Sequence, residues 1–326
     1  MKNLSKNLTR RGALVVGCAL LFADGAARAQ AEKPLQLIVP LTAGSAVDGL
    51  ARALSPELSK ILKRPVVVEN LPGAGGITGT QRVVTAAKDG NTLGLVASGH
   101  VINPFIYKSM PFDSLKDIRP ISVIAGSPLV LVVNAEMPAR NTKELIALLK
   151  TNPEKYNYGS AGNGSVAHLA TALFVKEAGV SLRHVPYRGV GPLLTDLIGG
   201  QVQLAFIGTS AAKAQIASGK LRAIAVSSAK RTDLMPDVPT LAESGVKDYQ
   251  YEPWIAVIGP VGLPDAQVNT FAAAFKTAIA APELRETLTS QGFVTSGTTP
   301  AEAKVFFASE LKRHEKLAKD SGAVLE

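Results

Sequence analysis

Cysteine is nearly missing from this sequence: Cys18 is the single one in 326 residues. One thiol cannot make an intrachain disulfide, and it excludes metal sites built on several cysteines. Histidine is scarce too. His100, His168, His184 and His314 are far apart, and none forms HxH or HExxH with another ligand, so no metal centre has a spacing to rest on. Aromatic residues make up 5% of the chain, with Trp254 the one tryptophan. Lys and Arg outnumber Asp and Glu, 35 against 26, but they are scattered. Without a basic run or interleaved aromatics, nucleic acid is a poor partner. Past the N-terminal region, no apolar run approaches the roughly 20 residues that cross a bilayer.

What is present at the N-terminus is an address. Lys2, Lys6, Arg10 and Arg11 precede an apolar run over 12–22, and Ala27-Arg28-Ala29 supplies a small-x-small cleavage site. This is the layout of an export signal, with an apolar core too short to span a membrane. Thr9-Arg10-Arg11 also resembles the start of a twin-arginine signal. Val15-Val16-Gly17-Cys18 imitates a lipid-attachment box, but the apolar run continues past it through Ala19-Leu20-Leu21-Phe22. The expected product is cut near Ala29, begins near Gln30, has no cysteine and resides in the periplasm. Losing the basic leader lowers the formal charge of +9 and leaves a mild positive excess, which helps attract small anions.

The remainder alternates β-branched runs with amphipathic stretches. Strands are predicted at 35–40, 66–69, 92–97, 129–134, 156–159, 182–186, 202–207 and 221–227. Helices are predicted at 48–62, 77–87, 142–150, 166–178, 192–198 and 211–217. The end of the chain, 265–326, reads as helix apart from a short apolar piece at 293–295. Such alternation predicts parallel sheets covered by helices. Eight or nine strands over this length predict two α/β domains. The terminal helices need a sheet to cover and the first series lacks helices, so the chain is expected to return to its first domain. The division is then a signal at 1–29, one domain from 30–127 and 252–326, and another from 128–251. A hinge of two crossings leaves a cleft between the lobes. An eight-strand barrel is the rival, disfavoured by the uneven spacing and the terminal helices.

Three glycine loops follow strands: Leu41-Thr42-Ala43-Gly44-Ser45, Leu71-Pro72-Gly73-Ala74-Gly75-Gly76, and Ser160-Ala161-Gly162-Asn163-Gly164-Ser165. In open α/β sheets, ligands sit there, where helix N-termini present free N–H groups and partial positive charge. The middle loop spaces Gly73, Gly75 and Gly79 as GxGxxxG. No acidic residue ends the next strand to hold a ribose, so a nicotinamide dinucleotide is not indicated and a tight turn for close helix packing suffices. In the third loop no Lys follows Gly164, which excludes a P-loop, and Ser165 falls one place late for a GxSxG elbow. Ser165 and His168 are one helical turn apart, with Asp196 as a candidate orienting carboxylate. An exported hydrolase or isomerase using Ser165 and His168 therefore stands as the alternative. Each residue also has a plainer role: Ser165 as a helix N-cap, His168 as a helix residue satisfied by backbone or lining a ligand, and Ser45 with Asp48 as a capping-box variant. With no acid, base, metal or nucleophile in a convincing spacing, binding without chemistry is the economical reading.

Taken in order, several segments resemble the Bug-type substrate-binding receptors of tripartite tricarboxylate transporters. They are ARALSPELSKILKRPVVVENLPGAGG from Ala51, INPFIY from Ile102, PFDSLKDIRPIS from Pro111, YNYGSAGNGSVAHLA from Tyr156, HVPYRGVGPLLTDLIGGQVQLAF from His184, and GKLRAIAVSSAKR with LMPDVPTLAESG from Gly219. The resemblance runs from about Leu35 to the C-terminus. It implies a two-lobed type II periplasmic-binding-protein fold that closes on a small carboxylate. It places the anion on backbone N–H groups and ordered waters at Leu41, Thr42, Ala43, Gly44, Ser45 and Asp48, and at Ser160, Ala161, Gly162, Asn163, Gly164 and Ser165. Ser98, His168, Tyr187, Ile207, Gly208 and Trp254 are the neighbouring cleft positions. No catalytic residue, metal or cofactor is implied. The implied partners of a monomeric receptor are membrane subunits of the transporter, or a sensor protein.

Two departures bear on the ligand. Where the family reads PFAPGGSTD, this chain has Pro40-Leu41-Thr42-Ala43-Gly44-Ser45-Ala46-Val47-Asp48, so side-chain hydroxyls have moved or gone. Where the family often carries Asp after the phenylalanine of the QV-x-x-x-F strand, this chain has Ile207. Both changes point to a carboxylate with an apolar or aromatic body.

Overall fold

The structure is a computed structural model, and it describes residues 33–153 and 155–323. The export signal, Cys18 and the expected cut near Ala29 lie outside the described residues.

The first sheet begins as the periodicity predicts. Strands β1 (Leu35–Val39), β2 (Val66–Asn70) and β3 (Thr92–Ala97) alternate with helices α1 (Ala46–Leu62) and α2 (Ile77–Val84). The chain then forms α3 (Gly99–Ile106) and β4 (Ile118–Gly126) and crosses to a second sheet. That sheet takes β5 (Leu129–Asn134), β6 (Asn157–Ser160), β7 (Arg183–Pro186), β8 (Leu204–Gly208) and β9 (Leu221–Val226). Its helices are α4 (Thr142–Thr151), α5 (Val166–Ala178), α6 (Val190–Ile198) and α7 (Thr209–Ala217). The return brings β10 (Trp254–Pro260), α8 (Asp265–Ala280), α9 (Pro282–Ser290), β11 (Val294–Thr295) and α10 (Pro300–Ser321).

The sheet orders are β11-β4-β10-β3-β1-β2 and β7-β6-β8-β5-β9. Both are mixed, not parallel as the alternation predicts. β10 runs antiparallel to β3 and β4, and β5 antiparallel to β8 and β9. The cause is the crossing itself. A chain arriving over the seam enters a sheet at the end where the βα units finish, and must run against them. Consequently the carboxyl ends of β1, β3 and β4, and those of β6 and β8, all meet at the seam.

Among the described residues, eleven strands exceed the eight or nine expected because β4 and β10 escaped the pattern, as did the helix α3. Pro104 interrupts the α3 pattern and Pro120 that of β4, and Pro inside a run reads as a breaker. In β4, Pro120 sits beside a register shift opposite Ile258, where a lost ladder N–H is tolerated. β10 is buried along its whole length, so it carries no alternation to read.

Each sheet buries both faces. Leu37, Leu54 and Phe275 fill one side of the first, while the next residue along β1, Ile38, joins Val96 and Phe307 on the other. In the second sheet Leu131 packs with Phe174 and Phe206, and Val130 with Leu193 and Ile207. Each such side chain contributes about 1.5–3 kcal/mol on burial. The last helix belongs to both lobes. Phe307 of α10 sits in the first lobe, whereas Leu317 and Ala318 sit in the cluster of the second, and Lys176 of α5 pairs with Asp320 at 2.7 Å. Between the lobes the two crossings are bonded to each other, Ser127 N–H to Pro253 O at 2.7 Å, and the return segment is closed on itself by Tyr251 N–H to Ser227 O at 2.8 Å.

Candidate ligand-binding site

A cleft of about 290 Å³ opens where the strand ends of the first sheet meet the seam. Its walls are the first turns of α1 (Ala46, Val47) and α3 (Gly99, His100), the Gly75-Gly76 turn, the crossing residues Ser127 and Pro253, and Trp254. Val166, the first residue of α5, reaches it from the second lobe. Among the described residues, no Lys, Arg, Asp or Glu lines it. Polar groups are few: Thr80, Ser98, Asn103 and Ser127 hydroxyls or amides, and His100. Asn103 ties down the glycine turn, its Nδ2 donating to Gly75 O at 3.0 Å. Ser98 Oγ accepts from Trp254 N–H at 2.9 Å, and Trp254 Nε1 donates to the buried Glu310 carboxylate at 2.9 Å. Burial pushes His100 down to about 4, against the raising effect of the bond its Nε2 donates to Ser114 O at 2.8 Å.

The loops entering α1 and α5 are built alike. Ser45 and Ser165 are the N-caps, and each hydroxyl accepts the amide of the third helical residue, Asp48 and His168, at 3.3 Å. The third-residue side chain reaches back in turn. Asp48 Oδ2 accepts from Gly44 N–H at 2.9 Å, and His168 Nδ1 accepts from Gly164 N–H at 3.1 Å. Both glycines have positive φ, +81° and +71°, which a side chain would strain. This corrects the expected capping box: the Asp48 carboxylate serves Gly44 and not Ser45, whose amide is taken by Thr42 O at 3.1 Å. Asp48 is held below its ordinary pKa by the Gly44 amide first and by Arg52 next, and it also receives Asn70 Nδ2 at 3.0 Å. The amides left without an intrahelical acceptor are those of Ala46 and Val47 in α1 and of Val166 and Ala167 in α5. Helix N-termini of this kind suit an anion.

Of the candidate residues, Leu41, Ser98 and Trp254 line the cleft. Thr42, Ala43 and Gly44 are exposed on the loop beside it. Ala161, Gly162 and Asn163 are half-buried, and Gly164 packs against Ile106 of the opposite lobe, where an added Cβ would lie 2.7 Å from Cδ1. Ser160 is fully buried, its hydroxyl shared between Gly162 in the loop and His184 on β7. Tyr187 donates to Asp196 at 2.8 Å, and burial with that bond raises it to about 12. Gly208 is half-buried as the residue before α7. Ile207 is not a wall of this cleft: it is 2% exposed, in a cluster with Val130, Leu193 and Ala212 on the far face of its sheet. The apolar walls are Val47, Phe112, Val166 and Trp254 instead. Sequence reasoning missed Val47, Phe112 and Val166, whose apolar pattern is indistinguishable from core, and read Gly75-Gly76 as packing only. Gly79 does pack closely, since a Cβ there would lie 2.6 Å from Leu71 O.

Ser165, His168 and Asp196 make no relay. The Ser165 hydroxyl holds an amide, His168 Nδ1 holds another, and Asp196 holds Tyr187. Burial, then the neighbouring His184, pushes His168 down to about 4. Its ring lies face to face with His184, centroids 4.0 Å apart, and His184 lies on Tyr158 at 4.8 Å.

Residues 50–323 match the model of the tripartite tricarboxylate transporter family receptor. The chain belongs to this receptor family. The BugT protein of Bordetella pertussis is 34% identical over 326 residues, covering 98% of this chain and all of that one (100%). Among solved structures, R. palustris Rpa4515 with adipate is 32% identical with a TM-score of 0.78, over 90% of this chain and 99% of that chain. MatC from Rhodopseudomonas palustris with bound malate is 27% identical with a TM-score of 0.73, over 87% of this chain and 98% of that chain. The protein is thus a solute-binding receptor on a two-lobed α/β binding-protein fold, and not an enzyme.

Proposed function

We propose that this receptor works in the periplasm as a monomer and captures a small carboxylate with an apolar or aromatic body. It then delivers the ligand to the membrane subunits of a tripartite tricarboxylate-type transporter. The carboxylate is held between the first-turn amides of α1 and α5, with the loops at 41–45 and 160–165 as the grip. The lobes that close on it are 30–127 with 252–326, and 128–251. The observation that carries this reading is the wall of the cleft: helix N-termini converge on it while charged side chains stay away. An anion there is met by fixed N–H dipoles, each charge-assisted bond contributing ~1.5–3 kcal/mol. The rest of the ligand faces Val47, Phe112 and Trp254. Relatives with adipate and malate support the carboxylate.

Thermal unfolding against a panel of mono-, di- and tricarboxylates, aromatic ones included, tests it. A ligand at ~100 times its dissociation constant adds ~2.7 kcal/mol of stability, a shift of a few degrees. A flat panel on ligand-free protein would remove the carboxylate from the reading.

A further inference from the structure

Ser160 is the last residue of β6 and the first of the proposed anion loop, and its hydroxyl has three polar neighbours. It accepts from Gly162 N–H at 3.2 Å, it donates to Gly162 O at 2.9 Å, and it lies 2.6 Å from His184 Nε2. A hydroxyl owns one proton. If that proton goes to Gly162 O, the short contact holds together only when His184 Nε2 carries a hydrogen and donates it to Ser160. Protonated at Nε2, His184 satisfies all three bonds at once. Bare at Nε2, it would pull the Ser160 proton away and leave Gly162 O without it. Gly162 adopts a φ of +134°, and Ser160 meets both its amide and its carbonyl, the carbonyl also taking the Ser165 N–H at 3.2 Å.

His184 stands on β7 directly opposite Tyr158 of β6 in the register, which puts the two rings on one face. His168 also lies against the His184 ring from α5 and fixes Gly164. The loop at 160–165 is therefore anchored at its start and its end by two imidazoles that touch each other. We infer that His184 is the positioning residue of the second-lobe grip: its Nε2–H, through Ser160, sets the shape of the loop that presents the α5 amides to the ligand. It opens one of the segments that carry the family resemblance, but no charged contact marks its role, since it meets the loop and not the cleft. The inference rests on the reading that this loop holds the carboxylate.

Two substitutions separate the donor from the ring. His184→Phe keeps an aromatic face on Tyr158 and His168 but removes the hydrogen. His184→Gln keeps a donor near the Nε2 position and loses the ring. Two readouts apply: amide hydrogen exchange at Gly162 and Gly164, and dissociation constants for benzoate, adipate and malate. His184→Phe is expected to speed exchange at both glycines and to weaken whichever probe binds wild type by about tenfold. His184→Gln is expected to recover most of both. Ser160→Ala, which removes one oxygen, must reproduce the Phe result, and it decides the question should the Phe protein fail to fold. Wild-type exchange and affinity in Ser160→Ala, or a Gln protein as impaired as Phe, would overturn the inference. Should wild type bind no probe, the function proposed above fails while the exchange data still judge His184.

Discussion

Asp48 and His168 stand at the same place in two loops on opposite sides of the seam. Each is the third residue of its helix and takes the amide hydrogen of the glycine four places earlier, Gly44 at 2.9 Å and Gly164 at 3.1 Å. The stretches Gly44-Ser45-Ala46-Val47-Asp48 and Gly164-Ser165-Val166-Ala167-His168 share one plan: glycine, serine cap, two small or branched residues, then an acceptor. The plan seals the loop with side chains and keeps the two middle amides outside the helix ladder.

Ser45→Ala and Ser165→Ala should each destabilise the protein by about 1 kcal/mol, the usual cost of a lost N-cap. Urea denaturation of the two variants measures it. Two caps of equal geometry should cost similar amounts, and a neutral result at either would show that the cap is replaced by water.

Gly164→Ala should weaken ligand binding more than it weakens the fold. The new methyl lies 2.7 Å from Ile106 Cδ1 across the seam, and the positive φ adds about 1 kcal/mol of strain. Adding Ile106→Ala restores the space but not the backbone preference, so affinity should recover in part. Calorimetric titration of the single and double variants checks this, and no recovery would place the cost in the backbone alone.

Stability should decline as acid is added. Burial holds His100 and His168 down to about 4, below the ordinary 6.5. The unfolded chain takes up protons first, so their contribution is complete above pH 6.5 and is lost between about 6.5 and 4. Asp48, held below 3.8, adds a further loss below that pH. Denaturation midpoints from pH 8 to 4 should be flat, then fall. A midpoint that rises on acidification would mean these rings gain a proton on folding.

Trp254 should report the ligand by itself. It is the one tryptophan, it lines the cleft, and its Nε1 is fixed on Glu310. Ligand binding should alter its emission, and Glu310→Ala should shift the emission of the free protein, because the indole N–H loses its carboxylate acceptor on α10 while Phe306 and Phe307 still pack on the ring. Fluorescence titration decides between a cleft beside Trp254 and one elsewhere.

Much of the frame could be read from periodicity. β3, β5 and α5 fall on their predicted residues because each carries a clean apolar period between turn signals. What was not legible is whatever depends on a partner across the seam. β10 is uniformly buried and gives no period, and its antiparallel direction follows from the crossing, not from its residues. The serine caps were readable from spacing. Val47 and Val166 were not, because their backbone amides matter and their side chains resemble core. Ile207 shows the reverse error, since a departure from a family pattern does not reveal which face of a strand a residue occupies.

The most direct test of the carboxylate grip is a titration of ¹⁵N-labelled protein, following the backbone amides of Ala46, Val47, Val166 and Ala167 as a bound carboxylate is added. Downfield shifts of these amides together, saturating with the same dissociation constant as the Trp254 signal, are the predicted result. Binding that leaves them unmoved while other amides shift would contradict it.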